Sequence, residues 1–211
     1  MNPTKKVIIY YLAGLFFFEA LVLIYVFSFD RQDQMQYINS FHSPLGDIFF
    51  KIVSSGVEII IPVLFLGYLI WKKKAWIKSY IISYVFSTLI VQFLKLVVFK
   101  EAMRPLAYFK GQIQSWHIVQ NLLISEYNSM PSGHTSAAWF MCFWMSVGFN
   151  SRPITLFLIL YAMLVAYSRV YLFQHFPIDT AVGAFIGTGI SFLVYYFKLS
   201  KSDLNDSIFK A

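Results

Sequence analysis

Apolar runs of membrane length alternate with short polar joints along almost the whole chain. Residues 7–29 form the first run, broken only by Glu19. Residues 30–55 are polar and then mixed, and His42, Pro44, Phe49 and Phe50 suggest a piece lying along a surface. A second run, 57–71, is short and stops at Lys72, Lys73 and Lys74, and a third covers 75–99. The longest stretch without a run is 101–130. It mixes aromatic and aliphatic residues with polar ones through Trp116, His117, Leu122 and Leu123, as an amphipathic lid at a bilayer surface would. The fourth run is Gly133–Phe149, followed by the turn 150–153. The fifth is 154–167, extendable to Leu172, and the sixth is 177–197. Helices of about 20 residues cross a hydrocarbon core of about 30 Å. The pattern therefore predicts an all-α, polytopic membrane protein: a six-transmembrane-helix bundle forming one domain over residues 1–211.

Composition sharpens this picture. With 58% hydrophobic and 13% charged residues, the chain is far more apolar than a soluble core of this size requires. Phe, Tyr and Trp at 20% suit two wet interfaces. Lys5 and Lys6 resemble the charged start of a signal peptide, but the run behind them is too long and lacks a small-residue cleavage site, so a first spanning helix is expected. The net charge of +7 comes from lysines at the ends of apolar runs, not from a basic stripe on a soluble surface, and nucleic acid is not expected as a partner. Cys142 is the only cysteine, which excludes an intrachain disulfide and a thiolate metal cage.

Charge also orients the chain. One side carries Lys5, Lys6, Lys72, Lys73, Lys74, Lys78, Arg152, Lys198, Lys201 and Lys210; the other carries Arg31, Lys51, Lys95, Lys100, Arg104, Lys110 and Arg169. The richer side is cytoplasmic by the positive-inside rule. Both termini are then inside, and Arg104, His134 and His175 are on the outer, periplasmic or extracellular, face of a cell membrane.

The candidate chemistry lies in three separated segments that this topology brings to that face. Residues 167–179 hold Arg169, His175 and Asp179 between two apolar runs. An aspartate can orient a histidine four residues before it and make it more basic, and an arginine offers a planar fork to an oxyanion such as phosphate. Histidine attacking phosphorus, with cations around it, is phosphoryl transfer through a covalent intermediate. Pro131, Ser132, Gly133 and His134 open the fourth helix. Its N-terminal amides suit a bound phosphate, Ser132 can cap the helix or donate to a phosphate oxygen, Gly133 admits close approach, and His134 stands where it could protonate a leaving oxygen. The first segment, 95–105, carries Lys95, Lys100 and Arg104. Taken singly, His175 and Asp179 read equally well as the entry to the sixth helix, and the arginines as interfacial anchors. Taken in order and on one side, they read as one site.

These motifs resemble the type 2 phosphatidic acid phosphatase family, whose catalytic fold is shared with vanadium-dependent haloperoxidases. The family pattern is Lys, six residues, Arg-Pro; then Pro-Ser-Gly-His; then Ser-Arg, five residues, His, three residues, Asp. Residues 131–134 match the second part outright, and Ser168, Arg169, His175 and Asp179 match the third with both spacings intact. The first part departs: eight residues separate Lys95 from Arg104 and three separate Lys100 from it. Lys95, at the top of the third helix, is taken as the family lysine, with the extra length absorbed in the turn and Lys100 as the alternative.

The resemblance implies that His175 is the nucleophile, Asp179 its orienting partner, and His134 the general acid and then the base for water. It implies a phosphate cradle of Lys95, Arg104, Ser132, Gly133 and Arg169. Few carboxylates are available as ligands, so protein cations have to balance the phosphate charge, and neither metal nor cofactor is expected. The expected function is hydrolysis of a phosphate mono- or diphosphate ester on a membrane lipid through a phosphohistidine. Phosphatidic acid, phosphatidylglycerol phosphate, polyprenyl diphosphate and lipid A are the candidate substrates. A phosphotransferase passing the group to another lipid or sugar, or a catalytically silent lipid-binding or transport protein, are the alternatives. Glu19 fits a helix contact or snorkelling better than chemistry, His42 and His117 fit surface or interfacial positions, and Cys142 fits the core.

Overall fold

Every regular element among the described residues is helical. The computed structural model describes residues 3–58, 60–120 and 122–208; Lys210, one of the cations counted above, lies outside them. In chain order the helices are α1 (Pro3–Ser28), α2 (Arg31–Asn39), α3 (Pro44–Ser55), α4 (Ile60–Lys72), α5 (Ile77–Phe93), the short α6 (Pro105–Tyr108), α7 (Gly133–Phe149), α8 (Arg152–Tyr171) and α9 (Pro177–Ile208). Among the described residues, five helical stretches are long and apolar enough to cross a membrane: Thr4–Ser28, Pro44–Lys72, Lys74–Val98, Arg152–Tyr171 and Pro177–Lys198. The chain is a multi-pass membrane protein. Phe16, Phe17, Leu64, Leu89, Leu160 and Phe185 on these helices face outward, as lipid contact allows.

The second of these stretches begins earlier than the sequence pattern suggests. Residues from Pro44 onward, read above as a surface piece, are its first half. The start signals are local: the Ser43 hydroxyl accepts from the Gly46 amide at 3.0 Å and Pro44 occupies the first turn. Asp47 and Lys51 hide the run by interrupting its apolar pattern. A turn at 56–58 then bends the stretch before α4.

Helix α7 has 17 residues and is walled by α1, α5, α8 and α9. Trp139, Met141, Cys142 and Trp144 point to different sides of it and all are buried, as in a helix enclosed by protein all round. Tyr11 of α1 donates to the Trp139 carbonyl at 2.7 Å. On the α9 side the backbones nearly touch. A Cβ on Gly183 would lie 2.5 Å from the Ser132 carbonyl oxygen, and one on Gly187 would lie 2.2 Å from that of Ser136. Small residues four apart let membrane helices approach this closely. The same face of α9, one turn earlier, carries Asp179.

The segment between α5 and α7 forms a cover. After α6 comes a 3-10 turn, Lys110–Ser115, and then irregular chain. Phe109 and Trp116 pack on Phe173 and Phe176 of the α8–α9 loop in a second, smaller core. The cover is tied to the helices beneath it. Asn39 exchanges hydrogen bonds with the His117 backbone at 2.8 and 3.0 Å, and Lys51 donates to the Gln120 carbonyl at 2.8 Å. His117 also pairs with Asp47 at 2.9 Å and stacks on His42 at 4.1 Å between ring centroids. Both histidines therefore pack where the cover meets the helices beneath it.

Candidate active site

The end of α5, the start of α7 and the α8–α9 loop converge at one end of the bundle, and main-chain hydrogen bonds lock them there. The Ser132 amide donates to the Asp179 carbonyl at 2.9 Å, and Ser129 donates from its amide to the Ala102 carbonyl at 3.0 Å. Arg104 is anchored the same way, its amide donating to the Glu126 carbonyl at 2.8 Å.

The α8–α9 loop owes its shape to Phe173, whose φ of 59° is left-handed. That conformation is unusual for a bulky residue and costs about 1–3 kcal/mol. Burial between Phe109 and Trp116 holds it. The reversal lets the amides of Gln174 and His175 both reach the Arg169 carbonyl, at 3.0 and 3.2 Å. His175 is thereby fixed one turn before Asp179.

His175 is 1% exposed, with Nδ1 3.5 Å from Asp179 Oδ2. This is an ion-pair separation, and Nδ1 makes no hydrogen bond. Asp179 Oδ2 instead accepts from the Ser129 hydroxyl at 2.5 Å and from the Phe176 amide at 3.0 Å, which fixes the carboxylate in place. Burial pushes His175 down to about 3; the Asp179 carboxylate pulls the other way, and the Arg104 and Arg169 charges add to the lowering. The imidazole is therefore neutral at physiological pH, the form that can attack phosphorus.

Two guanidinium groups flank it. Arg169, 4% exposed, donates to the Ser54 hydroxyl and to the Gln174 side-chain oxygen. Arg104 donates to the Tyr127 carbonyl at 3.1 Å and to the Gln174 carbonyl at 3.4 Å. Burial lowers the Arg104 guanidinium from its ordinary value, with Asp179 acting against it. Lys95 lies in a π-helical turn, Leu94–Val98, that continues α5. It is half-buried, and the charges that act on it are those of Arg104, Asp179 and Arg169. Lys100 is exposed. The π turn takes an extra residue per turn, and Asn128, at a left-handed φ of 57°, sets its side-chain amide against the Lys95 carbonyl. The turn takes up one of the two residues by which the Lys95–Arg104 gap exceeds the family spacing.

Ser132 caps α7. Its fully buried hydroxyl accepts from the Thr135 amide at 3.4 Å and from the Thr135 hydroxyl at 2.9 Å. Gly133 is not required by packing, since a Cβ there would meet only Val91 at 3.8 Å. His134, in the first turn, has Nε2 2.7 Å from Glu58 Oε1. The charge of Arg169 acts on both His134 and His175, so the two histidines share one electrostatic neighbourhood.

All eight residues singled out in the sequence fall in or beside this cluster. The sequence reading missed Ser54, Glu58, Ser129 and Gln174, whose roles depend on contacts across the fold. Glu58 alone carried a signal, as a carboxylate inside an apolar stretch. Glu19 is separate: Oε1 is buried in α1 without a hydrogen-bond partner. Cys142 is buried in the core. Among the described residues no group of three or more His, Cys, Asp or Glu is placed to hold a metal ion.

Comparison with solved structures returns two relatives of the same architecture. The crystal structure of Aquifex aeolicus LpxE is 27% identical and superposes with a TM-score of 0.68 over 79% of this chain and 94% of that one. The transmembrane PAP2 type phosphatidylglycerolphosphate phosphatase from Bacillus subtilis is 16% identical, with a TM-score of 0.65 over 95% of this chain and 98% of that one. Comparison with curated protein sequences returns no match. The sequence profile of the PAP2 superfamily matches residues 76–203, which contain every part of the His134–His175 cluster except Ser54 and Glu58. This chain belongs to the PAP2 superfamily.

Proposed function

We propose that the chain is a lipid phosphatase that works through a phosphohistidine. The observation that carries this reading is a buried, neutral His175 beside a fixed carboxylate, with the Arg104 and Arg169 guanidinium groups around it. In the first step the ring nitrogen of His175 that does not face Asp179 attacks phosphorus. The bond from phosphorus to the leaving oxygen breaks, and His134 gives that oxygen its proton. In the second step water attacks the phosphohistidine, its proton passes to His134, the nitrogen–phosphorus bond breaks and phosphate leaves. Asp179 stabilises the imidazolium form, and Lys95, Arg104, Arg169 and the open N-terminus of α7 balance the phosphate charge.

The substrate is a membrane lipid carrying a phosphate mono- or diphosphate ester. A site at the end of a membrane bundle, under an amphipathic cover, suits a headgroup better than a soluble phosphate. The Bacillus subtilis relative acts on a phosphatidylglycerolphosphate, which puts that lipid in the panel beside phosphatidic acid, a polyprenyl diphosphate and lipid A. We take α7 as a sixth span, which places both termini in the cytoplasm and the site on the outer face, and residues 1–211 as one domain.

The test is phosphate release from each lipid by detergent-solubilised protein, with rapid quenching to trap an acid-labile phosphoenzyme. Wild type should release phosphate from at least one lipid and His175→Ala from none. Turnover by His175→Ala, or transfer of the label to an added lipid or sugar in place of water, overturns the hydrolytic reading.

A further inference from the structure

The bend in the second apolar stretch presents two polar side chains to the site. Ser54 and Glu58 are one helical turn apart across it; the first meets Arg169 and the second meets His134. Glu58 lies in the turn 56–58 within the stretch Pro44–Lys72, its side chain half exposed toward the site. Its Oε1 is 2.7 Å from His134 Nε2, the length of a charge-assisted hydrogen bond.

The charges acting on His134 are Arg169 from α8, Lys95 from the end of α5, and Glu58. Burial opposes an imidazolium first, and the two cations add to it; Glu58 is the anion that favours one. A general acid placed among phosphate-binding cations needs such a counterweight to keep its proton. The arrangement also repeats that of His175. Each histidine faces a carboxylate through one ring nitrogen, Asp179 at 3.5 Å from Nδ1 of His175 and Glu58 at 2.7 Å from Nε2 of His134. In both, the other nitrogen is left for chemistry.

We propose that Glu58 is the positioning residue of His134: it holds the ring through Nε2, leaves Nδ1 to exchange the proton with substrate and water, and keeps the imidazolium available to the leaving oxygen. This rests on the phosphatase reading above. Glu58 acts through His134 and does not touch phosphate.

The experiment uses full-length protein in detergent, with Glu58→Gln, His134→Ala and the double variant. Glu58→Gln should lower kcat about 10- to 100-fold. KM should hold within about two-fold, and the alkaline limb of the kcat profile should move down by about one pH unit. In the His134→Ala background the same change should cost nothing further. A loss carried by KM, an unmoved limb, or a full loss in the His134→Ala background overturns the proposal. A second readout needs no turnover: the ring nitrogens of His134, followed by 15N NMR on histidine-labelled protein, should titrate at lower pH in Glu58→Gln than in wild type. No displacement sinks the pairing itself. If the displacement is present while wild type releases phosphate from no lipid, the phosphatase reading falls and the pairing stands.

Discussion

The Ser132 amide donates to the Asp179 carbonyl at 2.9 Å, so the motif that opens α7 and the motif that opens α9 are joined by main chain. The bond exists because Gly183 and Gly187 let α9 lie directly on α7. Gly187→Ala should push the helices apart, since its Cβ would meet the Ser136 carbonyl at 2.2 Å. Overpacking of this kind costs about 1–3 kcal/mol. Thermal unfolding in detergent should report that loss, together with a fall in phosphate release as Asp179 shifts. Gly189→Ala, with nothing within 4 Å of its Cβ, is the control and should match wild type. Equal behaviour of the two variants removes the helix contact from the account.

The two lysines of the first segment make a second test. Lys95 feels the charges of Arg104, Asp179 and Arg169, whereas Lys100 is exposed. Lys95→Ala should lower kcat/KM about 10²-fold, as loss of a charge stabilising the transition state does. Lys100→Ala should stay within about two-fold of wild type by the same reasoning. The reverse result would make Lys100 the cradle residue.

The burial of His175 has a consequence for stability. Its value falls from 6.5 to about 3 in the folded chain, so between those limits the unfolded chain holds the extra proton. Stability from this group is complete above about pH 6.5 and is lost as pH falls through the window toward about 3. Unfolding midpoints between pH 4 and 7.5 should therefore drop more steeply on the acid side for wild type than for His175→Asn. Parallel curves for the two proteins contradict the burial argument.

Sidedness is open to chemical labelling. A cysteine in place of Ser115, in the cover, should react with a bulky impermeant thiol reagent in intact cells once Cys142 is replaced. A cysteine in place of Ser151, between α7 and α8, should react only after the membrane is broken. The opposite pattern inverts the topology and puts the substrate in the inner leaflet.

Much of this was legible in the chain because membrane helices advertise themselves by length and because the His134 and His175 motifs are local in sequence. What was hidden depended on distance or on backbone detail. Glu58 meets His134 across seventy-six positions, through a bend that no apolar pattern marks. Gln174 looks like an ordinary loop residue until the left-handed Phe173 turns its side chain onto Arg169. The eight-residue gap before Arg104 looks like a broken motif, and nothing in the apolar pattern marks the π turn at Lys95 that takes up part of it. Asp47 and Lys51 disguise the start of the second stretch because both charges serve the cover, Asp47 through His117 and Lys51 through Gln120.

Helix α7, which delivers His134, meets α1, α5, α8 and α9 on all sides. At 17 residues it is about 25 Å long, shorter than a typical hydrocarbon core. A helix in contact with lipid would have to tilt or thin the bilayer around it to make up such a mismatch. Enclosed by protein, α7 is spared that adjustment, which falls to the outer helices with their Phe and Leu faces. The helix that delivers His134 is thus the one least exposed to changes in bilayer thickness.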